Sequence, residues 1–159
     1  MNKGYVSTAT HADLPIIAHD MREADVAEVK ASSGKTPEEA LRAGLNYPGA
    51  ITKSIRLPNG MPVGMYGVCP SQHEGVGIVW MLASNAIEPL YRQFLRESRQ
   101  RIMEISQDYH LITNFTDARN SVHHRWIKWA GFTILNTRDF GIEQRPFHEF
   151  ALIVEKQNV

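Results

Sequence analysis

The chain has 159 residues, 17 Lys+Arg against 17 Asp+Glu and a pI near 7.1. That is the length of one domain, able to bury about two-thirds of its unfolded surface without a disulfide or metal staple. A hydrophobic content of 43% with 21% charged residues marks a globular chain. Zero net charge argues against a nucleic-acid binder that works through a broad basic face, while leaving room for a local patch.

One cysteine, Cys69, excludes an internal disulfide and a cysteine zinc cage, and suits a reducing compartment. The N-terminus lacks the apolar core of a signal peptide, and no run approaches the ~20 apolar residues that cross a bilayer. The expectation is a soluble, cytoplasmic protein.

In chain order, Tyr5–Ala9 is short and β-prone and reads as an opening strand. A helix follows, with Asp13 as N-cap, Pro15 in its first turn, and Ile16, Ile17, Met21, Ala24 and Val29 as apolar positions. Ser32-Ser33-Gly34 interrupts it. Thr36-Pro37-Glu38-Glu39 then announces a second helix, with Thr36 at N-cap, Pro37 at N1 and Glu39 completing a capping box. Gly44 is its expected end.

The period then changes to two. Ala50–Leu57 and Met61–Val68 flank Pro58-Asn59-Gly60, and Asn-Gly is a strong hairpin signal because both residues tolerate positive φ. Gly75–Ala83 is apolar on both faces and reads as a central strand. A long helix is expected over Ile87–Asp108, with Leu90, Phe94, Ile102 and Ile105 buried. His110–Phe115 is another strand, Asp117–Ala130 a helix ending at Gly131, and Phe132–Asn136 and Phe147–Glu155 a closing pair of strands. A strand–helix–strand step of this kind implies a parallel pair, hence an α/β domain on a mixed sheet.

Several side chains invite chemistry, and each has a plainer alternative. Asn120 is a cap by type, and Asp117 either caps the same helix or orients a base. His123 and His124 point about 100° apart, so they cannot form the His-x3-His pair of a helical metal site; no metal site is expected. Either could act as a base near neutrality. Val122, Trp126 and Trp129 share one helix face and read as core, as does Trp80. Arg22, Glu23, Asp25 and Glu28 read as a solvated face. His148 reads equally as a cross-strand residue, and Cys69 has no neighbouring base to make it a nucleophile.

Residues 114–132, NFTDARNSVHHRWIKWAGF, carry a family resemblance. An Asn-led helix ending in Gly-Phe after the fifth strand resembles the GNAT superfamily of acyl-CoA-dependent N-acyltransferases; Asn120, His123, Trp126, Ile127, Gly131 and Phe132 fall on its positions. Element order agrees over about residues 5–155. READVAEVKASSG at Arg22–Gly34, GMPVGMYGV at Gly60–Val68, VWMLAS at Val79–Ser84 and FHEF at Phe147–Phe150 are similar to a family of small bacteriophage GNAT-like proteins related to an internal virion protein of short-tailed coliphages.

The resemblance implies a single GNAT-like domain over 1–159 and transfer of an acetyl group from acetyl-CoA to an amine. The alternative it also allows is a catalytically silent relative that binds virion or host proteins. For the transferase it implies cofactor contacts from Val79, Trp80, Met81, Leu82, Ser84, Asn85, Asn114 and Asn120, with the N–H of Met81 or Leu82 as oxyanion donor. Glu28, His124 or His148 would be the base. Two departures stand out. The phosphate-holding loop, usually glycine-rich, reads Leu82-Ala83-Ser84-Asn85-Ala86-Ile87-Glu88-Pro89, and the usual acid tyrosine falls on Ile127.

Overall fold

The computed structural model describes residues 3–157. Seven strands form one sheet: β1 Tyr5–Thr8, β2 Ile51–Arg56, β3 Pro62–Pro70, β4 Val76–Ala83, β5 Leu111–Asp117, β6 Thr133–Phe140 and β7 Arg145–Ile153, in the order β1-β2-β3-β4-β5-β7-β6. Every neighbouring pair is antiparallel except β4 and β5, which are parallel. The helices are α1 Asp13–His19, α2 Glu23–Ser33, α3 Pro37–Asn46, α4 Tyr91–Ile105 and α5 Ser121–Ala130.

Alternation along β4 sends side chains to both faces. Leu82 joins Leu14, Ile17, Val29 and Leu41 beneath α1–α3, while Val79 and Met81 join Ile102, Trp126 and Ile127 beneath α4 and α5. A strand covered on both sides must be apolar throughout, which is why β4 reads as central.

Local signals hold where the physics is local. Thr36 Oγ1 accepts from Glu39 N at 3.2 Å and Glu39 Oε1 accepts from Thr36 N at 2.9 Å, so the capping box forms as its spacing implies. Gly131 ends α5 at φ 89°. In the β2–β3 hairpin only Gly60 takes a positive φ, 91°, while Leu57 N donates to Met61 O and closes the turn.

Elsewhere the elements differ from the sequence reading. The expected first helix is two, α1 and α2, because residues 20–22 leave helical geometry and Met21 bridges to Ser84. The long helix begins as a 3-10 turn, Asn85–Leu90, since Pro89 cannot donate into an α-helical ladder. Residues 117–120 belong to the end of β5 and to a turn, so α5 starts at Ser121.

Gly44 does not end α3, which continues to Asn46. It is there for packing, because a Cβ at this position would overlap the Trp80 ring. Gly44→Ala should therefore lower the melting temperature despite alanine's better helix propensity, since overpacking a fitted contact costs about 1–3 kcal/mol against about 1 kcal/mol gained in the helix. Thermal melting with Trp emission reads both effects; an unchanged or higher melting temperature would contradict the packing role.

Candidate functional site

The parallel ladder between β4 and β5 stops after Ile78↔Thr113. Beyond it β4 keeps pairing with β3 as far as Ala83↔Gly64, and β5 with β7 as far as Asp117↔Phe147. The two strands therefore diverge, and the wedge between them holds a cavity of about 350 Å³ walled by Trp80, Phe115, Phe140, Phe147 and Phe150, with Glu28, Ser32, Ser33, Asn114 and His123 as polar members. Backbone groups on the β5 side of β4 would have no ladder partner there, and buried peptide groups must find one.

Four of them find it within the chain. Asn114 Nδ2 donates to Val79 O at 2.7 Å and His123 Nε2 to Met81 O at 2.7 Å. Ala83 N donates to Asp25 Oδ2 at 3.1 Å, and Ala83 O accepts from Arg22 N at 2.9 Å. The capping groups are linked to one another. Arg22 Nε and Nη2 donate to Asp25 Oδ2 at 2.9 and 2.8 Å, and Asn120 Nδ2 donates to Asp25 Oδ1 at 3.1 Å. Glu28 Oε1 accepts from Thr116 Oγ1 at 2.9 Å and from Asp117 N at 2.6 Å, while His123 Nδ1 lies 3.1 Å from Glu28 Oε2.

The cluster is buried: Asp25 is 0%, His123 5%, Arg22 8% and Glu28 8% exposed. Burial alone would push the imidazole pKa down, but Glu28 and Asp25 outweigh it and raise His123 to about 9, so the ring is cationic at neutral pH.

These positions answer the sequence expectations residue by residue. Asn120 is the N-cap of α5, accepting from His123 N at 3.1 Å, and also a member of the wedge cluster. Glu28 lines the cavity with both carboxylate oxygens engaged. His124 and His148 sit side by side, ring centroids 5.1 Å apart, outside the cavity lining. His124 Nε2 lies 3.0 Å from Asp117 O and His148 Nδ1 2.6 Å from Thr137 Oγ1; burial is the main cause holding the His124 pKa low. Ser84 N donates to Val63 O and Asn85 N to Asp20 O, both at 2.9 Å, so these amides are spent on the fold. Ile127 is buried core.

Two expectations are corrected. Arg22, Asp25 and Glu28 do not form a solvated face; they are the buried heart of the wedge. Trp129 is not core: it is 55% exposed, while Trp126 on the neighbouring turn is fully buried. The buried set was traceable in the spacing, since Arg22, Asp25 and Glu28 recur every third residue along one helix face, and Asn120 and His123 do the same. Their convergence across 88 to 95 residues of chain was not.

As a sequence the chain matches no family profile and no curated protein. Its structure is similar to a GCN5-related N-acetyltransferase from Kribbella flavida, with TM-score 0.73 and 19% identity over 94% of this chain and 97% of that one. A Salmonella typhimurium protein solved with its cofactor acetyl-CoA gives 0.73 and 14%, covering 99% and 98%. The Vibrio cholerae spermidine N-acetyltransferase in complex with CoA and spermine gives 0.71 and 11%, covering 97% of each chain. The fold is that of the GNAT acyl-CoA N-acyltransferases.

Acetyl-CoA, the cofactor that the fold implies, would lay its pantetheine amides along the diverging edge of β4 and its pyrophosphate at the amides that follow. The residues present do not fit it in this arrangement. Val79 O, Met81 O and both groups of Ala83 already carry partners, and the loop after β4 spends Ser84 N, Asn85 N and Ile87 N internally and contains Pro89.

Proposed function

We propose that this chain is a binding domain built on the GNAT fold, in which its own polar side chains fill the cofactor track. The observation that carries this is the capping of β4 by Asn114, His123, Asp25 and Arg22. Side chains held in a buried, interlinked network, in which Arg22 Nη1 alone of the Arg22 nitrogens lacks a partner, exchange for a ligand only at the cost of leaving further charges unpaired. The resemblance to small phage proteins supports a protein partner, of the virion or of the host.

Calorimetric titration with acetyl-CoA is expected to show no saturable heat, and millimolar ligand no rise in melting temperature. A ligand present at a hundred times its Kd would add about 2.7 kcal/mol of stability, so a clear thermal shift would overturn the proposal.

A second reading, N-acetyl transfer to an amine, is favoured by the wedge and its aromatic cavity beside Glu28. It assigns Glu28, His124 or His148 to take the proton of the acceptor ammonium, and it requires Asn114 and His123 to release the β4 carbonyls. Formation of an N-acetyl product from a primary amine and acetyl-CoA would establish it.

A further inference from the structure

His124 on α5 and His148 on β7 meet outside the aromatic wedge, with ring centroids 5.1 Å apart and planes tilted by 56°. Each ring is pinned through one nitrogen. His124 Nε2 lies 3.0 Å from Asp117 O, and because a carbonyl only accepts, Nε2 carries the proton of the neutral ring and Nδ1 its lone pair. His148 Nδ1 lies 2.6 Å from Thr137 Oγ1 on the neighbouring strand β6. When Nδ1 donates to that hydroxyl, His148 Nε2 bears the second lone pair. Among the described residues, neither His124 Nδ1 nor His148 Nε2 has a hydrogen-bond partner, and both side chains are partly open to solvent.

An imidazole that binds a metal through one nitrogen ordinarily donates its other N–H to a carbonyl, a carboxylate or water, which fixes tautomer and ring angle. His124 has such a carbonyl in Asp117, and His148 has the Thr137 hydroxyl in the same place. The spacing agrees. Metal–nitrogen bonds of about 2.0–2.1 Å set each ring centre about 3.2 Å from the ion, so two rings at a tetrahedral angle have centres about 5.2 Å apart, and at a right angle about 4.5 Å. The observed separation falls between these limits. Neither ring is engaged by a carboxylate, since the histidine–carboxylate pairs among the described residues both belong to His123. Burial, and with it the charge of His148, holds the His124 pKa low despite the Asp117 carbonyl, so at neutral pH that ring is in the unprotonated form a metal requires.

We propose that His124 Nδ1 and His148 Nε2 together bind one divalent transition-metal ion of the Zn²⁺, Ni²⁺ or Cu²⁺ class, clamping α5 to the outer strands. The site lies apart from the wedge and stands whether or not acetyl-CoA binds there. The missing His-x3-His spacing excludes a site on one helix; here a helix and a strand each supply one ring. Among the described residues no group of three His, Cys, Asp or Glu side chains converges on an ion, so water completes the coordination. Two neutral nitrogens favour imidazole-loving ions and give Mg²⁺ and Ca²⁺ none of the oxygen ligands they need.

The test is a calorimetric titration of the untagged full chain, first stripped with a chelator, with Ni²⁺, Zn²⁺ and Mg²⁺. Ni²⁺ and Zn²⁺ should each bind one site and raise the melting temperature, and Mg²⁺ should do neither. His124→Asn and His148→Asn should each weaken Ni²⁺ binding by more than about tenfold, the loss that follows even when only an outer partner of a ligand is removed. Thr137→Val keeps both ligands and a β-branched residue at an exposed strand position, and should itself raise the Kd about tenfold. His11→Asn/His73→Asn, at two exposed histidines elsewhere, should leave the Kd unchanged. Absence of Ni²⁺ and Zn²⁺ binding, equal binding of Mg²⁺, or a Kd indifferent to the His124 and His148 variants would overturn the proposal. If either histidine variant fails to fold, Thr137→Val decides: a Kd equal to that of the wild type overturns it.

Discussion

Asp25→Ala should be strongly destabilising, lowering the melting temperature by roughly 6–20 °C. Asp25 is fully buried and serves four donors: two from Arg22, the Ala83 amide and the Asn120 amide. Its loss leaves an unpaired guanidinium in a buried site, where removing one partner of a buried ion pair costs about 3–5 kcal/mol. Each kcal/mol is worth about 2–4 °C for a domain of this size. Asp25→Asn keeps the shape and removes the charge, and its amide can still accept from Ala83 N, so it should fall between wild type and alanine. Circular-dichroism melts of the three proteins decide the matter. An alanine variant as stable as the wild type would mean that the cluster contributes nothing to the fold.

Stability should also decline with pH between about 6.5 and 9, and His123 should be the reason. Its folded pKa, raised to about 9 by Glu28 and Asp25, stands above the value near 6.5 of an unfolded histidine. The native state therefore holds one more proton in this window. The stabilisation is complete below pH 6.5 and is lost as pH rises through 9, a change on the order of 3 kcal/mol. The groups facing the ring are Glu28 at 3.1 Å, Asp25 at 3.9 Å and Thr116 at 3.5 Å, with Arg22 opposing the charge.

Two other sets of groups act outside the window. His124, held low mainly by burial, destabilises the fold as pH falls below 6.5. Burial of the Cys69 thiol and of Tyr66, pushed up to about 12, acts above pH 9. Urea unfolding of wild type and His123→Gln across pH 6–9 isolates the effect: the wild-type slope should vanish in the variant. Parallel slopes would show that His123 is neutral in the native protein.

Both results concern groups whose significance a linear reading could not weigh. Thr36 and Glu39 announce their capping box because the partners are three residues apart, and Asn120 and Gly131 bracket α5 for the same reason. The approximate strand and helix order followed from periodicity, and with it the resemblance to an acyltransferase fold. Gly44 was misread because a helix-ending glycine and a glycine pressed against a tryptophan look identical in one dimension. Trp126 and Trp129 share a helix face, yet only the first faces the sheet: the stripe is wider than the contact. The departures at the 84–89 loop and at Ile127 were legible; what replaced the missing groups was not.

The amino-acid sequence thus determined the approximate order of the elements, the capped helix ends and the glycine-free 84–89 loop, since each depends on neighbours within a few residues. The tertiary structure decided the site. Divergence of β4 from β5 strips peptide groups of their ladder partners, and folding brings Arg22, Asp25, Glu28, Asn114, Asn120 and His123 into that gap from three elements and the turns before α2 and α5. Once water is excluded, an unpaired peptide group or charge there costs more than ordering the side chains that satisfy it. That balance exists only in three dimensions, and it turns residues that look like surface charges into the interior of the wedge.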